Sequence, residues 1–132
     1  EFRRVLFRSE DVVHEALALL HDAGLRSTLA VLKRFGAQSQ APLSFPFPGW
    51  TLALDIALPA PGAVRTLAML DERVAEAGGR VYLAKDSRLR RELVEVMNPR
   101  LSEWQAVRRR LDPDGLFQND LARRLGLTEA NA

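Results

Sequence analysis

The segment WTLALDIAL at residues 50–58 has the most regular alternation of large apolar with small or polar residues in the chain. The even-numbered positions are the large apolar residues Trp50, Leu52, Leu54, Ile56 and Leu58. The odd-numbered positions are the small or polar residues Thr51, Ala53, Asp55 and Ala57. Successive side chains of a strand point to opposite faces of its sheet. The segment therefore predicts a β-strand with one core face and one face of small or polar residues.

Further extended segments lie on both sides of this strand. Residues 27–35 (STLAVLKRF) are too short and too β-branched for a helix and predict a strand that ends at Gly36. The run LSFPFPG that follows is extended, but its alternating prolines exclude it from the middle of a sheet. Residues 81–84 predict a short strand.

Helical spacing of apolar residues predicts the rest of the secondary structure. Helices are expected over about 10–23 and 62–77, from Asp86 or Ser87 to about 97, from Pro99 to about 111, and over about 118–125. The order of elements favours an α+β fold. We expect a small, mostly antiparallel sheet covered by helices and followed by a helical C-terminal segment.

Composition restricts the class of protein. The 132 residues are 47% hydrophobic and include no cysteine, which fits one globular unit and excludes disulfide scaffolds, cysteine zinc sites and thiolate enzymes. Apolar stretches are shorter than a membrane span requires. His14 and His21 lie two helical turns apart, so no metal site is expected.

Residues 1–9 (EFRRVLFRS) hold three arginines and one glutamate, which accounts for the whole net charge of +2. The basic pI therefore gives no indication of nucleic-acid binding by residues 10–132. The segment resembles a translated sequencing adapter and shows no period that continues into the helix predicted from residue 10. We expect a non-native leader that takes no part in the fold, on a fragment of a longer protein.

Arginine is concentrated in the second half of the chain. The composition changes near residue 80, where the arginine-rich part begins, and this is the expected boundary between two structural units. Acidic residues are interspersed among these arginines and aromatic residues are sparse. This pattern favours solvated helix faces over a nucleic-acid or phosphate site.

Only Lys33 and Lys85 are lysines among the 19 basic residues. A chain that uses arginine elsewhere can retain lysine where a compact, rotatable ammonium is needed, although codon bias would give the same count. Lys33 shares a predicted strand face with Phe35. Lys85 lies where a strand gives way to a helix, a common place for site residues.

Three runs carry a resemblance to a known family: LAVLKRFGAQSQAPLSFPFPGWTLALD, GGRVYLAKDSR and WQAVRRRLDPDGLFQNDLARRLGL. Together they resemble the C-terminal part of the decaprenylphosphoryl-ribose oxidase family, flavoproteins of the vanillyl-alcohol oxidase type. The resemblance covers about residues 25–127. The Asp-Pro-x-x-x-Phe pattern that begins at Asp112 is shared broadly among such oxidases, whereas LSFPxPGW and YxAKDSR are much narrower.

This resemblance implies an FAD-dependent bacterial enzyme that oxidises the carbon-two hydroxyl of a polyprenyl-phosphate-linked ribose. A partner ketoreductase would reduce the ketone, giving net epimerisation to arabinose for cell-wall arabinan. Residues 10–79 would belong to the substrate-binding (cap) domain, and residues 80–132 would complete the FAD-binding domain. The lipid substrate implies peripheral contact with a membrane, in the cytoplasm or the periplasm.

The resemblance also assigns site residues. Lys33 and Phe35 would line the substrate pocket, and Tyr82 and Lys85 would lie beside the isoalloxazine, with Lys85 as the catalytic group. Thr51 and Ala53 match two further pocket positions, where mycobacterial members of the family carry asparagine and cysteine.

Two alternatives stay open. The first is a related oxidase acting on an alditol or an aldonolactone. The second belongs to another class: a non-enzymatic α+β module that binds nucleic acid or an acidic partner through its arginine-rich helices. In the oxidase interpretation the 132 residues alone are expected to be inactive and to bind no flavin.

Overall fold

An antiparallel four-stranded sheet forms the centre of the computed structural model, which describes residues 2–128. The strands are β1 (Phe2–Phe7), β2 (Ser27–Phe35), β3 (Gly49–Ile56) and β4 (Arg80–Val81), arranged in the order β2-β3-β1-β4. Every neighbouring pair is antiparallel. The predicted α+β class and the strands at 27–35 and around 50–58 are confirmed.

Helices pack against one face of this sheet. They are α1 (Glu10–Asp22), α2 (Ala63–Glu76), α3 (Arg91–Met97), α4 (Leu101–Leu111) and α5 (Asp120–Arg124). Apolar residues at helical spacing, such as Leu67, Leu70 and Val74 of α2, join Leu52 and Leu54 of β3 in one buried cluster. Residues from both sides of position 80 contribute to this core.

Residues 1–9 are the clearest departure from expectation. The prediction that this segment takes no part in the fold is wrong, because β1 lies between β3 and β4. Val5, Leu6 and Phe7 are all fully buried. β1 is covered on both faces, so its apolar residues Val5, Leu6 and Phe7 are consecutive and do not alternate with polar ones, and the absence of a period of two did not exclude a strand. The non-native origin of the segment stays a prediction.

The segment after residue 80 is less regular than predicted. Pairing ends at Val81 rather than residue 84, and a single 3-10 turn (Leu83–Lys85) follows. Asp86 accepts hydrogen bonds from the amides of Arg88 (3.2 Å) and Leu89 (2.9 Å), as a helix cap would, but α3 begins only at Arg91. The reason is that Leu89 enters the core, which keeps the backbone at Arg90 extended.

Other boundaries differ by one or two residues. β3 ends at Ile56, and α5 begins at Asp120 because the side chain of Asn119 accepts a hydrogen bond from the amide of Ala122 at 2.8 Å. Residues 36–48 form no strand, as their prolines predict. The last four residues of the predicted C-terminal segment lie outside the described part of the chain.

Candidate functional site

The sheet face opposite the helices carries the predicted strand residues. Lys33 on β2 lies directly opposite Thr51 on β3, and Val31 lies opposite Ala53. Directly opposed residues of antiparallel strands present their side chains on the same face. Lys33, Thr51 and Ala53 therefore share one face, and Phe35 joins them because it lies two positions beyond Lys33.

Three aromatic rings form a row across one end of this face. The ring of Phe45 packs edge-on against Phe35 at a centroid distance of 5.9 Å and lies tilted by 46° against Tyr82 at 4.9 Å. The guanidinium of Arg4 lies 5.7 Å from the Tyr82 ring centre. The row links the predicted substrate residue Phe35 to the predicted cofactor residue Tyr82. Both rings are half-buried, so each retains some accessible surface.

A close backbone contact leaves space beside Phe35. Gly49 is its partner on β3, and a Cβ atom at Gly49 would lie 2.2 Å from the carbonyl oxygen of Phe7. Only glycine fits at that distance. The position opposite Phe35 is therefore without a side chain, and an open pocket of about 480 Å³ lies there, lined by Arg8, Arg34, Phe35, Gly36, Pro48, Gly49 and Trp50.

Thr51 and Ala53 share this face but are not accessible from it. Thr51 is 1% exposed and Ala53 is 3% exposed. The Thr51 hydroxyl donates a hydrogen bond to the carbonyl of Val5 at 3.0 Å. In this structure the two residues therefore lie beneath the surface, whereas Lys33 is exposed.

The proline-rich segment lies on the same face and is held there by two arginines. Arg80 donates a hydrogen bond to the carbonyl of Ser44. The ring of Phe47 is buried between the guanidinium groups of Arg8, at 4.6 Å, and Arg80, at 5.1 Å. These contacts position Phe45, the middle ring of the row. A mainly apolar pocket of about 270 Å³ opens beside Phe45 and Tyr82.

Lys85 ends the 3-10 turn that follows Tyr82. Its amide donates to the carbonyl of Tyr82 at 3.0 Å, and the amide of Tyr82 donates to the carbonyl of Arg4 on β1 at 2.9 Å. The turn is thus joined to the sheet through its own backbone. Lys85 itself is exposed. The predicted cofactor residues are three positions apart and separated by one tight turn.

A buried network of charged groups lies directly after Lys85. The Asp86 carboxylate accepts hydrogen bonds from Arg3 and, at 2.7 Å, from Arg124 of α5. Asp71 of α2 pairs with Arg3 and, at 3.0 Å, with Arg88. The network therefore connects β1, α2, α5 and the segment 86–88 beneath the turn that carries Lys85.

The pKa values of the two carboxylates in the network shift in opposite directions. Burial acts to raise the pKa of Asp86, but hydrogen bonds from Arg124 and Arg3 outweigh it and hold that pKa below its ordinary value. Burial raises the pKa of Asp71, despite the attraction of Arg3 and Arg88. The pKa of Asp86 is therefore lower than that of Asp71.

This network was not predicted, although the sequence holds part of its signal. Asp71 falls on the buried stripe of α2 beside Leu70 and Val74, where a charge requires a partner. Asp86 was expected only to cap a helix. Nothing in the sequence pairs either residue with Arg124, because that contact depends on how α5 packs.

The other candidate groups are not gathered into a site. His14 and His21 are both exposed, and no three His, Cys, Asp or Glu residues within 2–128 are placed to hold a metal ion. Many arginines of the second half are paired with acids: Arg88 with Asp71, Arg90 with Glu72, Arg100 with Glu103, Arg108 with Asp112, Arg123 with Asp120 and Arg124 with Asp86. Within the described residues, none of the helices has the length and apolar character of a membrane span.

Comparison with known proteins gives consistent matches. The family model described as D-arabinono-1,4-lactone oxidase matches residues 7–125. A decaprenylphosphoryl-beta-D-ribose oxidase of Mycolicibacterium smegmatis is 47% identical over 120 residues, covering 89% of this chain and 26% of the relative. A Streptomyces coelicolor protein described as an uncharacterized protein in the mprA 5' region is 47% identical over 118 residues, covering 89% of this chain and 32% of its own length. The chain thus spans only about a quarter to a third of these relatives.

Proposed function

The chain belongs to the D-arabinono-1,4-lactone oxidase family, and we propose that it is part of a larger FAD-dependent enzyme that oxidises a secondary hydroxyl of a polyprenyl-phosphate-linked ribose. The relationship to a decaprenylphosphoryl-ribose oxidase supports the ribose substrate. In this proposal residues 10–79 belong to the substrate-binding domain and residues 80–132 complete the FAD-binding domain.

One observation carries the assignment of the site. Phe35, Phe45 and Tyr82 form a continuous row that ends one turn before Lys85. Aromatic and apolar surface on a segment that also carries a lysine suits a flat ring that becomes negatively charged during the reaction. The residues present therefore fit an isoalloxazine at the Tyr82 end of the row.

When bound, FAD accepts the hydride that leaves the substrate carbon. Lys85 would stabilise the negative charge that this transfer creates. Such a group can lower the activation free energy by about 3 to 4 kcal/mol. Tyr82 would pack beside the ring. The exposed Lys33 would bind the phosphate or the sugar of the substrate, while Phe35 would contact the sugar from the same strand face.

Thr51 and Ala53 would set the depth of the substrate pocket from below. Both are small, and neither reaches solvent in this chain. The hydroxyl of Thr51 is engaged by Val5, so we assign it a packing role rather than direct hydrogen bonding to the sugar.

A second candidate substrate follows from the family model itself, which is described as a lactone oxidase. Anaerobic stopped-flow measurement of flavin reduction in the full-length oxidase distinguishes the candidates. Rapid bleaching by a polyprenyl-phosphoribose, with slow bleaching by free alditols and aldonolactones, supports the ribose assignment. The reverse order would assign the enzyme to lactones or alditols, and no bleaching by any of them would contradict a sugar oxidase.

Two further parts of the proposal concern partners. The ketone product would pass to a ketoreductase, and the lipid tail of the substrate would bring the enzyme to a membrane surface. The binding-module alternative is disfavoured because its arginines are largely engaged by carboxylates. Salt-dependent RNA or DNA binding by the 132-residue chain would revive it.

A further inference from the structure

The buried Asp86 carboxylate fixes the backbone immediately after Lys85. Its side chain is 0% exposed and accepts hydrogen bonds at both oxygens. One oxygen takes the amides of Arg88 and Leu89, and the other takes the guanidinium of Arg124 at 2.7 Å. An ionised carboxylate with this many donors has one well-defined orientation.

Arg124 adds further hydrogen bonds to the same stretch of backbone. Its Nη1 donates to the carbonyl of Leu89 at 2.8 Å, and its Nη2 also lies 3.4 Å from the carbonyl oxygen of Asp86. A single guanidinium therefore spans residues 86–89. Arg124 is held in turn by α5, whose first turn is capped by Asn119.

The backbone before Lys85 is fixed independently. Tyr82 is bonded to β1, and the amide of Lys85 is bonded to Tyr82. Lys85 is thus held on one side by the sheet and on the other by the Asp86–Arg124 pair. Removing the Arg124 guanidinium would free the carbonyls of Asp86 and Leu89 and one oxygen of the Asp86 carboxylate, while the other oxygen would keep Arg3 and the amides of Arg88 and Leu89. The turn would retain its attachment to the sheet and lose part of its hold on the other side.

We propose that Arg124, acting through Asp86, is a positioning residue that orients Lys85 toward the reacting atoms. This inference rests on the proposed function of Lys85. The pair also takes part in the fold, because the Asp86 side chain is 0% exposed while Arg124 is 33% exposed. The test therefore separates positioning from stability by measuring kcat, KM and hydrogen exchange.

The proposal does not depend on Arg3. Without Arg3, Asp86 would still accept hydrogen bonds from Arg124 and from two backbone amides. The contacts made by Asp86 with Arg124, Arg88 and Leu89 lie within residues 86–124, in the part of the chain matched by the oxidase family model.

The chain offers a closely matched control. Arg123 is the preceding residue on α5 and pairs with Asp120, whose side chain is 99% exposed. Arg123→Gln removes one positive charge and one ion pair from the same helix, without contact to residues 86–89. Arg124→Gln removes the same charge together with the contacts to Asp86 and Leu89.

The test uses the full-length oxidase with bound flavin. We expect Arg124→Gln to lower kcat for substrate-dependent flavin reduction by roughly tenfold to a hundredfold with KM within about twofold, because small misplacements of a catalytic group have effects of this size. Arg124→Lys should recover part of the loss, and Arg123→Gln should match the unmodified enzyme. Asp86→Asn provides a second variant if Arg124→Gln does not fold.

A second measurement does not depend on turnover. In the flavin-free protein, hydrogen exchange at the amides of Arg88 and Leu89, whose hydrogen bonds Asp86 accepts, should be faster in Arg124→Gln than in Arg123→Gln. Unchanged exchange, or unchanged kcat with faster exchange, overturns the positioning role. Normal flavin reduction in Lys85→Ala overturns the proposed function itself, so the two failures are distinguishable.

Discussion

Lys33 and Thr51 lie directly opposite each other on β2 and β3, yet one is exposed and the other is buried. Thr51 is the paired, inaccessible member, since its hydroxyl donates to Val5. Lys33 stands on the outer strand of the sheet. Lys33 is therefore the member of this pair that a ligand approaching from solvent can contact.

Loss of Lys33 should weaken substrate binding more than it slows the reaction. In the full-length oxidase, Lys33→Met removes a charge-assisted hydrogen bond, so we expect KM to rise by about tenfold or more and kcat to fall by less. Steady-state kinetics with the polyprenyl-phosphoribose measures both. Arg26→Gln is the matched control, because Arg26 is also exposed and lies one residue before β2, outside the residues that line the pocket beside Phe35. Equal effects of the two substitutions would contradict a specific role for Lys33.

Lys85→Ala should abolish fast flavin reduction while preserving the fold. Lys85 is exposed, and its removal leaves the Asp86 network in place. Loss of a preorganised charge of this kind lowers the rate by a factor of hundreds, on the order of 3 to 4 kcal/mol. Stopped-flow absorbance measures the rate, and the unfolding temperature should change by less than a few degrees. Near-normal reduction would show that Lys85 is not the catalytic group.

The regular parts of this fold could be predicted from local sequence. β2 was predicted to the residue, and β3, α1 and α2 to within one or two residues, because their apolar periods are strong. The alternation around Trp50 also placed Thr51 and Ala53 on the face opposite the core. It could not show that the face is covered at those positions, since burial there depends on tertiary packing.

β1 and the Asp86 network show what local sequence could not provide. β1 is short and buried on both faces, so neither a period nor a turn signal identified it. The contacts of Asp86 to Arg3 and Arg124 span 83 and 38 positions in sequence. Such contacts depend on the packing of separate elements, whereas sequence patterns report only neighbours along a strand or helix.

The 132-residue chain by itself should bind no flavin. It spans only 26% of the length of the oxidase relative, and the aromatic row offers one side of a ring site rather than an enclosed cavity. Ligand sites normally enclose most of the ligand's surface. The purified chain is mixed with FAD, passed through a desalting column at roughly micromolar protein, and its absorption is recorded between about 350 and 500 nm. Weak complexes dissociate at this protein concentration, so only tightly bound flavin would remain. A retained flavin band would contradict the prediction.

Asp86 should make stability depend on pH in a defined direction. Its folded-state pKa lies below the unfolded value of about 3.9, so its contribution is present above that value and is lost as the pH falls through the folded pKa. We expect Asp86→Asn to lower the free energy of unfolding by about 2 kcal/mol at pH 7, the scale of hydrogen bonds to a charged group. The difference between the two proteins should shrink below about pH 4. Urea unfolding of both at pH 7, 5 and 3 measures it. The charge of Asp86 is one cause of the raised pKa of Asp71, so Asp86→Asn also removes that contribution, which offsets part of the loss. A difference that stays constant down to pH 3 would show that the charge of Asp86 contributes nothing to stability.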